Sequence, residues 1–329
     1  MDPISHAGLA ASWAQSGAGE KRIVAAALVG ALAGMAPDLD VLIRSATDPL
    51  VFLEYHRHFT HALAFAPVGA LLCASLLHRF VRRELRFSQT YLFSLLGYFS
   101  HCLLDACTSY GTLLLWPFSS LRIAWSVVSV VDPLFTLPVL GLAAFALVRR
   151  NARYARLAAL WALVYLGIGL VQHERAAALG LDNANARGHR PSRLEVKPAL
   201  GSLLLWKVIY EYDGRYYVDA VRAGIEPRVY AGSSIAKLNL AEQFPWLVPG
   251  SQQAADIERF RRVSDGLLAV SETQPDRVID LRYSMVPNEI AGFWAIVLDP
   301  NAGSEAHVGF VTTTHGTPEQ ALRLLAMLF

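Results

Sequence analysis

Apolar residues gather in five runs within the first 171 residues of the chain. The runs cover residues 23–36, 62–77, 91–107, 133–148 and 157–171. Each is shorter than the about 20 residues that cross a bilayer as a helix, and one such run alone is typical of a buried core helix. Because five succeed one another, we predict an integral membrane α-helical bundle with about five short membrane helices. A short amino-terminal helix over residues 5–15 would precede them.

The pattern changes after residue 175. Residues 176–200 are small, polar and turn-prone, which predicts a linker. Beyond the linker, apolar and polar residues alternate on both sides of Asp213–Gly214, a strong signal for a β-hairpin. We therefore predict a membrane-embedded domain over residues 1–175 and a small, mainly β soluble domain over residues 201–329. Two further stretches of that domain, "RVIDLRYSMV" and "GFWAIVLD", are strand-like.

The composition indicates that part of the protein surface contacts a lipid bilayer. Charged residues make up 17% of the chain and the mean hydropathy is +0.34, whereas soluble domains have about 25% charged residues. The net charge is only +2, so we expect no nucleic-acid partner. The three cysteines lie in apolar stretches without metal-site spacing, and we expect no disulfide framework. The amino terminus has no positive charge ahead of its apolar part, unlike a cleavable signal.

Basic clusters predict an orientation. "KR" precedes the first run, "HRFVRREL" follows the second, and "RRNARYAR" lies between the fourth and the fifth. If the runs alternate in direction, all three clusters lie on one side, and the positive-inside rule makes that side cytoplasmic. The opposite ends of the runs and the β domain then lie on the outer side of a membrane that the chain crosses several times.

Histidine and aspartate cluster at those outer ends, in three short motifs. "APDLD" ends the first run, "HRHFTH" opens the second and "HCLLDA" ends the third. Each has an ordinary explanation: a turn after proline, a polar helix cap, or a buried His–Asp pair. An aspartate in hydrocarbon nevertheless costs about 2.5–3.5 kcal/mol on insertion scales, which a bound cation would offset. The candidate metal ligands are His6, Asp38, Asp40, His56, His61, His101 and Asp105, with His58 and Asp132 in reserve.

This donor set exceeds the four ligands of one tetrahedral zinc ion and suits two or three ions about 3.5–4 Å apart. Nitrogen and oxygen donors without thiolate favour Zn²⁺, with Mn²⁺ or Fe²⁺ as alternatives. A metal-activated hydroxide would attack an ester while the cations stabilise the anionic transition state. We predict catalytic roles for Asp38, Asp40 and Arg57, whose guanidinium could hold a phosphate oxygen. Arg57 could equally be an arginine that snorkels to the membrane interface.

The same motifs, in the same order, resemble those of the YdjM/DUF457 family of inner-membrane, metal-dependent hydrolases. The matching stretches, all before about Leu147, are "MDPISHAGLA", "ALAGMAPDLDVL", "HRHFTHAL", "GYFSHCLLDACTSYGTLLLWPFS" and "VVDPLFTLP". The resemblance implies metal roles for the seven candidate ligands. It also implies a multi-pass protein of the bacterial inner membrane, with the metal site and the C-terminal domain on the periplasmic side. His58 departs from the family, which usually has a small residue there. The family is in turn distantly similar to zinc-dependent phospholipase C and P1 nuclease, helical enzymes with three clustered zinc ions.

Three functions remain open at this point. The first is a membrane-bound hydrolase of a phosphoester in a lipid or lipid-linked substrate, because a site sunk in the bilayer can take a headgroup from it. The second is a metal-binding membrane protein without catalysis, such as a stress-related scaffold or sensor. The third is a transporter, since ionisable residues in membrane helices mark ion paths. The gathering of the candidate ligands at one depth disfavours the third.

Overall fold

The chain folds into two compact units, and the first is helical. The computed structural model describes residues 1–313 and 316–328. The first unit comprises Met1–Ile43, Tyr55–Val171 and Leu200–Ser202. The helices of the first 186 residues are α1 (Pro3–Ser16), α2 (Ile23–Met35), α3 (Val51–Tyr55), α4 (Ala66–Val81), α5 (Phe87–Ala106), α6 (Pro133–Arg149) and α7 (Ala152–Ala186).

Small residues allow the helices of this unit to approach one another closely. Helix α1 packs against α2, α5 and α6, and α5 also packs against α2 and α4. A Cβ atom on Gly97 of α5 would lie 2.3 Å from the carbonyl oxygen of Gly30 in α2, and one on Gly34 would lie 2.2 Å from Cβ of Ala10 in α1. Such small-residue contacts are the usual means by which helices associate in lipid.

Two described helices are long and apolar enough to cross a membrane, as judged by length and composition. One is Glu20–Leu42, which contains α2, and the other is α7. A third span results if Val51–His61 and Ala66–Val81, which meet at 86°, count as one bent element. The prediction of five spans is therefore not supported. Helix α6 has only 17 residues, and polar side chains such as His101 and Asp105 lower the hydropathy of α5.

The second unit is mostly β and comprises Arg44–Glu54, Gln172–Ala199 and Leu203–Phe329. Its strands are β1 (Arg193–Pro198), β2 (Leu205–Tyr212), β3 (Arg215–Arg222), β4 (Arg228–Ala236), β5 (Leu268–Val270), β6 (Arg277–Asp280), β7 (Trp294–Val297) and β8 (Gly309–Thr312). Strands β1 to β4 form one antiparallel sheet in chain order, and β5 to β8 form another. Its other helices are α8 (Leu240–Gln243), α9 (Gln252–Val263) and α10 (Pro318–Leu328), and it also includes α3 up to Glu54 and α7 from Gln172 onward.

The predicted hairpin is confirmed. Strands β2 and β3 pair from Tyr212 and Arg215 outward, so Asp213 and Gly214 form the two-residue turn between them. Both turn residues have positive φ, 49° and 70°. A tight turn of the type I′ class needs positive φ at both positions, and the Asp-Gly pair supplies it at little cost.

Residues 176–200 are structured where the sequence predicts a linker. Helix α7 runs on to Ala186, and β1 begins at Arg193. The stretch "RAAALGLDNANA" is rich in helix-forming alanine, and Ala176 and Ala184 are buried against Trp206. A packed alanine face therefore extends the helix into a segment that composition alone assigns to a linker.

The segment Arg44–Glu54 joins two ligand-bearing motifs in the sequence but belongs to the second unit. Its Leu50 and Leu53 are buried in one cluster with Phe260 of α9. Arg259 of the same helix donates to both carboxylate oxygens of Glu54, each at 2.8 Å. Both contacts hold the segment within the β-rich unit.

Candidate metal centre

Five of the seven candidate ligands come from short irregular or helix-end segments of the first unit. Asp38 and Asp40 lie in a 3-10 helix, Pro37–Leu42, which proline begins directly after α2. His56 follows α3, and His61 ends a second 3-10 helix, Phe59–His61. His6 lies in the first half of α1. These bends turn short side chains toward a common point that a continuous helix would not reach.

The last turns of α5 supply the other two ligands. His101 and Asp105 are four residues apart on this helix and therefore share one face. Both are buried, with no more than 1% of either residue exposed. Four separate segments thus bring charged or ionisable groups to the same buried place.

Asp38, His61, His101 and Asp105 present four donor atoms that lie within 4.8 Å of one another. The Nε2 atoms of His61 and His101 are 2.9 Å apart. His61 Nε2 is 3.4 Å from Asp38 Oδ1 and 3.2 Å from Asp105 Oδ2. His101 Nε2 is 3.5 Å and 3.4 Å from the same two oxygens. We call these four residues the first group.

The spacing of the first group fits a tetrahedral metal ion. Zinc binds nitrogen and oxygen donors at about 2.0–2.1 Å, so the edges of its tetrahedron measure about 3.3–3.4 Å. The five donor separations given above range from 2.9 to 3.5 Å, and four of them lie within about 0.2 Å of that edge. A bound cation would account for this close approach of two imidazoles and two carboxylates, as would ion pairs between protonated imidazoles and the carboxylates.

Hydrogen bonds to the far side of each imidazole support the same interpretation. His101 Nδ1 lies 2.6 Å from the carbonyl oxygen of Gly34, which can only accept. Nδ1 therefore carries a proton, and in the neutral ring the lone pair of Nε2 is then directed into the first group. His61 Nδ1 lies 3.2 Å from Asp40 Oδ2 and 3.0 Å from Thr60 Oγ1. Metal-bound histidines almost always have such a partner on the other ring nitrogen.

A second group shares Asp38 with the first. Asp38, Asp40 and His56 offer three donor atoms within 4.8 Å of one another, and His56 Nδ1 is 2.9 Å from Asp40 Oδ1. The two groups differ in exposure only through His56, whose side chain is 17% exposed, whereas those of His61 and Asp105 are fully buried. Asp40 of the second group is also buried, and Asp38, which both groups share, is 25% exposed.

Comparison with known proteins is decisive about the family. The sequence profile described as "YdjM inner membrane protein" matches residues 1–176, which is more than half of the 329 residues and includes every candidate ligand. The chain belongs to the YdjM family. The resemblance inferred from the motifs is thereby confirmed, whereas the similarity of this family to zinc-dependent phospholipase C and P1 nuclease stays a prediction.

Two relatives of this YdjM family member share about a third of its length. Inner membrane protein YbcI of Escherichia coli (strain K12) is 37% identical over 105 residues, which are 31% of this chain and 60% of YbcI. Uncharacterized protein YfhP of Bacillus subtilis (strain 168) is 28% identical over 109 residues, 33% of either chain. Each alignment covers less than two thirds of the relative. No solved structure matches this YdjM chain significantly.

His6 belongs to neither group, but it contacts Asp105 of the first group. Its Nε2 is 3.0 Å from Asp105 Oδ1, the carboxylate oxygen that does not face the other donors. Its ring stacks on His101, with centroids 3.6 Å apart. The amino group of Met1 pairs with the same Asp105 oxygen. In this YdjM member His6 therefore orients Asp105, and a direct metal role for His6 stays a prediction.

Arg57 is buried beside the first group. Its Nε lies 3.0 Å from Asp105 Oδ2, and its Nη1 donates to Thr108 Oγ1 at 2.7 Å. Its backbone has a φ of +59°, and its amide donates to Asp40 Oδ2 at 2.8 Å. Arg57 thus contacts Asp105 of the first group through its side chain and Asp40 of the second group through its backbone amide. This burial disfavours the alternative of a snorkelling arginine, and contact with a phosphate oxygen stays a prediction.

Neither reserve residue joins the two groups. Asp132 is the N-cap of α6, where it accepts from the backbone amides of Leu134 and Phe135 and from the hydroxyl of Tyr165. The ring of His58 lies 5.7 Å from that of Trp116, centroid to centroid.

Of the partners Gly34, Thr60 and Thr108, the sequence suggests a role only for Thr60, as the polar cap of the helix predicted from the second apolar run. Thr60 stands inside the "HRHFTH" motif, and Gly34 directly precedes "MAPDLD". Their proximity to candidate ligands was the available signal. The carbonyl of a glycine and the hydroxyl of a threonine carry no charge, so composition and spacing alone do not distinguish them.

Proposed function

We propose that this YdjM family member is a membrane-bound metal-dependent hydrolase with two metal ions, one in each group, that share Asp38. The observation that carries the proposal is the pair of overlapping donor groups with different openness. The first group offers four protein donors, which is the complete set of a closed, structural zinc site. The second offers three, which is the number that catalytic zinc sites use when a fourth position is left for water or substrate.

The two ions would have different tasks. An ion in the buried first group would hold α2, α5 and the "HRHFTH" segment together. Bound in the more exposed second group, a metal ion supplies an acidified water and positive charge to an ester undergoing hydrolysis. Asp40 would hold the proton-bearing side of His61 and face the second group with its other oxygen. Arg57 would add a fixed positive charge beside both groups. Zn²⁺ suits these donors best, with Mn²⁺ or Fe²⁺ as alternatives.

We propose a phosphoester in a lipid or lipid-linked molecule as the substrate. Membership of an inner membrane protein family and the lack of a large net charge support a substrate drawn from the bilayer. A fixed arginine at the centre suits an anionic ester.

The orientation proposed here is multi-pass, with the metal centre on the periplasmic side. The basic clusters support it, because they lie at the ends of α2, α4 and α6 that are away from the donor groups. A membrane-impermeant thiol reagent on intact cells tests it. A cysteine at Ser45, next to the donor-bearing end of α2, should label, and a cysteine at Arg82 should label only after permeabilisation. The reverse pattern would refute the orientation.

Metal analysis with two single variants tests the function. Wild-type protein purified in detergent should contain two ions per chain, His56→Ala should retain one, and His101→Ala should lose the buried ion. Hydrolysis of a panel of phospholipids, polyprenyl phosphates and p-nitrophenyl phosphodiesters should require both ions and cease with chelator. Turnover that survives both substitutions would refute the proposal.

A second candidate function rests on the closed first group. Four protein donors without an open position are typical of structural metal sites, and they favour a metal-binding membrane protein without catalysis. In that case wild-type protein would hold a single ion, and His56→Ala would leave the metal content unchanged.

A further inference from the structure

The connection between α5 and α6 is an apolar loop without helices. Residues 107–131 contain one charged residue, Arg122, and their only isolated bridge joins Thr112 to Ile123. In a water-soluble protein a loop of this length would be polar. Its composition therefore calls for an explanation.

Several large apolar side chains of this loop are exposed. Phe118 is 88% exposed and Leu121 is 66% exposed, while Leu115 and Trp125 are each nearly half exposed. Isolated exposed hydrophobes are ordinary, but a concentration of them in one short segment indicates contact with a partner or a membrane. The apolar surface continues along the chain through Val131, which is also exposed, into α6.

The loop is also hydrogen-bonded to the backbone of residues in or next to the metal centre. The amide of Leu113 donates to the carbonyl of Arg57 at 3.0 Å, and that of Trp125 donates to the carbonyl of Ala106 at 2.8 Å. Nη1 of Arg122 donates to the carbonyl of His56 at 3.3 Å. The loop is thus held against residues that contribute donors to the two groups or that adjoin such residues.

We propose that residues 113–127 form an interfacial loop, which inserts Leu115, Phe118, Leu121 and Trp125 into the lipid beside the metal centre. The occupant of this surface is the bilayer itself. Irregular backbone is not tolerated in the hydrocarbon core, because its amides and carbonyls need water. The loop backbone must therefore stay at the membrane–water boundary, with only its apolar side chains inserted. Tryptophan at that level is typical of membrane proteins.

Anchoring by this loop sets the depth of the metal centre. Side chains of an interfacial element enter about 5–10 Å into the headgroup and acyl boundary, so the hydrogen-bonded donor groups lie near the level of lipid headgroups. This consequence bears on the substrate and rests on the proposed function. The insertion itself holds whether or not the protein is an enzyme.

Spin-label accessibility in proteoliposomes of phosphatidylethanolamine and phosphatidylglycerol tests the insertion. A nitroxide at Phe118→Cys, with the three native cysteines replaced by alanine, should be several-fold more accessible to oxygen relative to a nickel chelate than one at Glu305→Cys. Glu305 is an exposed acidic position of the second unit. The metal content of the Phe118→Cys protein should equal that of the cysteine-free parent, which verifies folding independently of any activity.

A second measurement retains the native cysteines. The fluorescence difference between wild type and Trp125→Phe should be quenched more strongly by lipids brominated near the headgroup than by lipids brominated near the chain end. A Phe118 label as accessible to nickel as the Glu305 label would overturn the proposal. A label shielded from both reagents would also overturn it, because a second copy or a protein partner would then cover the loop. Neither the accessibility measurement nor the quenching measurement depends on whether the protein hydrolyses a substrate.

Discussion

Replacing Asp40 with asparagine separates its two contributions to the metal centre. The oxygen Oδ2 supports Nδ1 of His61 at 3.2 Å, whereas Oδ1 faces the second group beside His56. Asparagine preserves the shape of the side chain and one acceptor but removes the charge. The variant therefore weakens a supporting contact of the first ion and removes a direct ligand of the second.

The two losses differ in magnitude. Removal of the partner of a metal-bound histidine typically lowers metal affinity 10–100-fold, about 1.4–2.8 kcal/mol. A structural zinc site contributes about 10–16 kcal/mol in total, so each of its four ligands accounts for about 2.5–4 kcal/mol, a factor of about 70–900. We expect Asp40→Asn to lower the affinity of the first group for its ion by the factor for a lost supporting contact. The affinity of the second group should fall by the larger factor for a lost ligand.

Competitive zinc titration of the detergent-solubilised protein measures both steps. Asp132→Asn is the matched control, because Asp132 is equally buried in the same unit but serves as a helix cap and partner of Tyr165. Asparagine also caps helices well, so this variant should bind zinc as wild type does. Equal shifts of both steps in Asp40→Asn, or a comparable loss of zinc in Asp132→Asn, would refute the assignment.

Three further predictions concern packing, ion pairing and pH. Gly97→Ala should lower the melting temperature and the metal content, because its Cβ would meet a backbone carbonyl of α2 at 2.3 Å, whereas Gly141→Ala, which meets open space, should do neither. Arg259→Met removes the partner of three carboxylates and should lower the free energy of unfolding by about 1–3 kcal/mol. Arg261→Met, whose side chain is 34% exposed and pairs with the half-exposed Glu258, should change it little. Burial lowers the pKa of Lys207 from 10.5 to about 7. Between pH 7 and pH 10.5 the folded protein therefore binds fewer protons than the unfolded chain, so its stability rises with pH. Denaturant titrations should show wild type gaining stability over Lys207→Met across that range. A constant difference across that range would contradict it.

Local patterns were sufficient for several elements of the fold. The Asp213–Gly214 hairpin follows from the turn chemistry of two residues and the alternation around them. The strands at 277–280 and 294–297 lie within the two strand-like stretches of the sequence. The donor motifs were visible because imidazoles and carboxylates are unusual beside long apolar runs.

Other features depended on contacts that no local pattern contains. The number of spans was overestimated because short apolar runs look alike whether they face lipid or other helices. The extension of α7 to Ala186 needed the buried contacts of Ala176 and Ala184 with Trp206. The placement of Arg44–Glu54 in the β-rich unit depends on α9, which follows about two hundred residues later in the sequence.

The sequence by itself determined which donors are present, their chemical type and the ends of the helices that carry them. Only the tertiary structure decided how they divide into two groups, which imidazole nitrogen faces inward, and that His6 and Arg57 contact Asp105. The physical reason is that residue type and spacing act over a few positions along one segment. The distances between His61 and His101, by contrast, are set by how closely α2, α4 and α5 pack, which depends on side chains far apart in the chain.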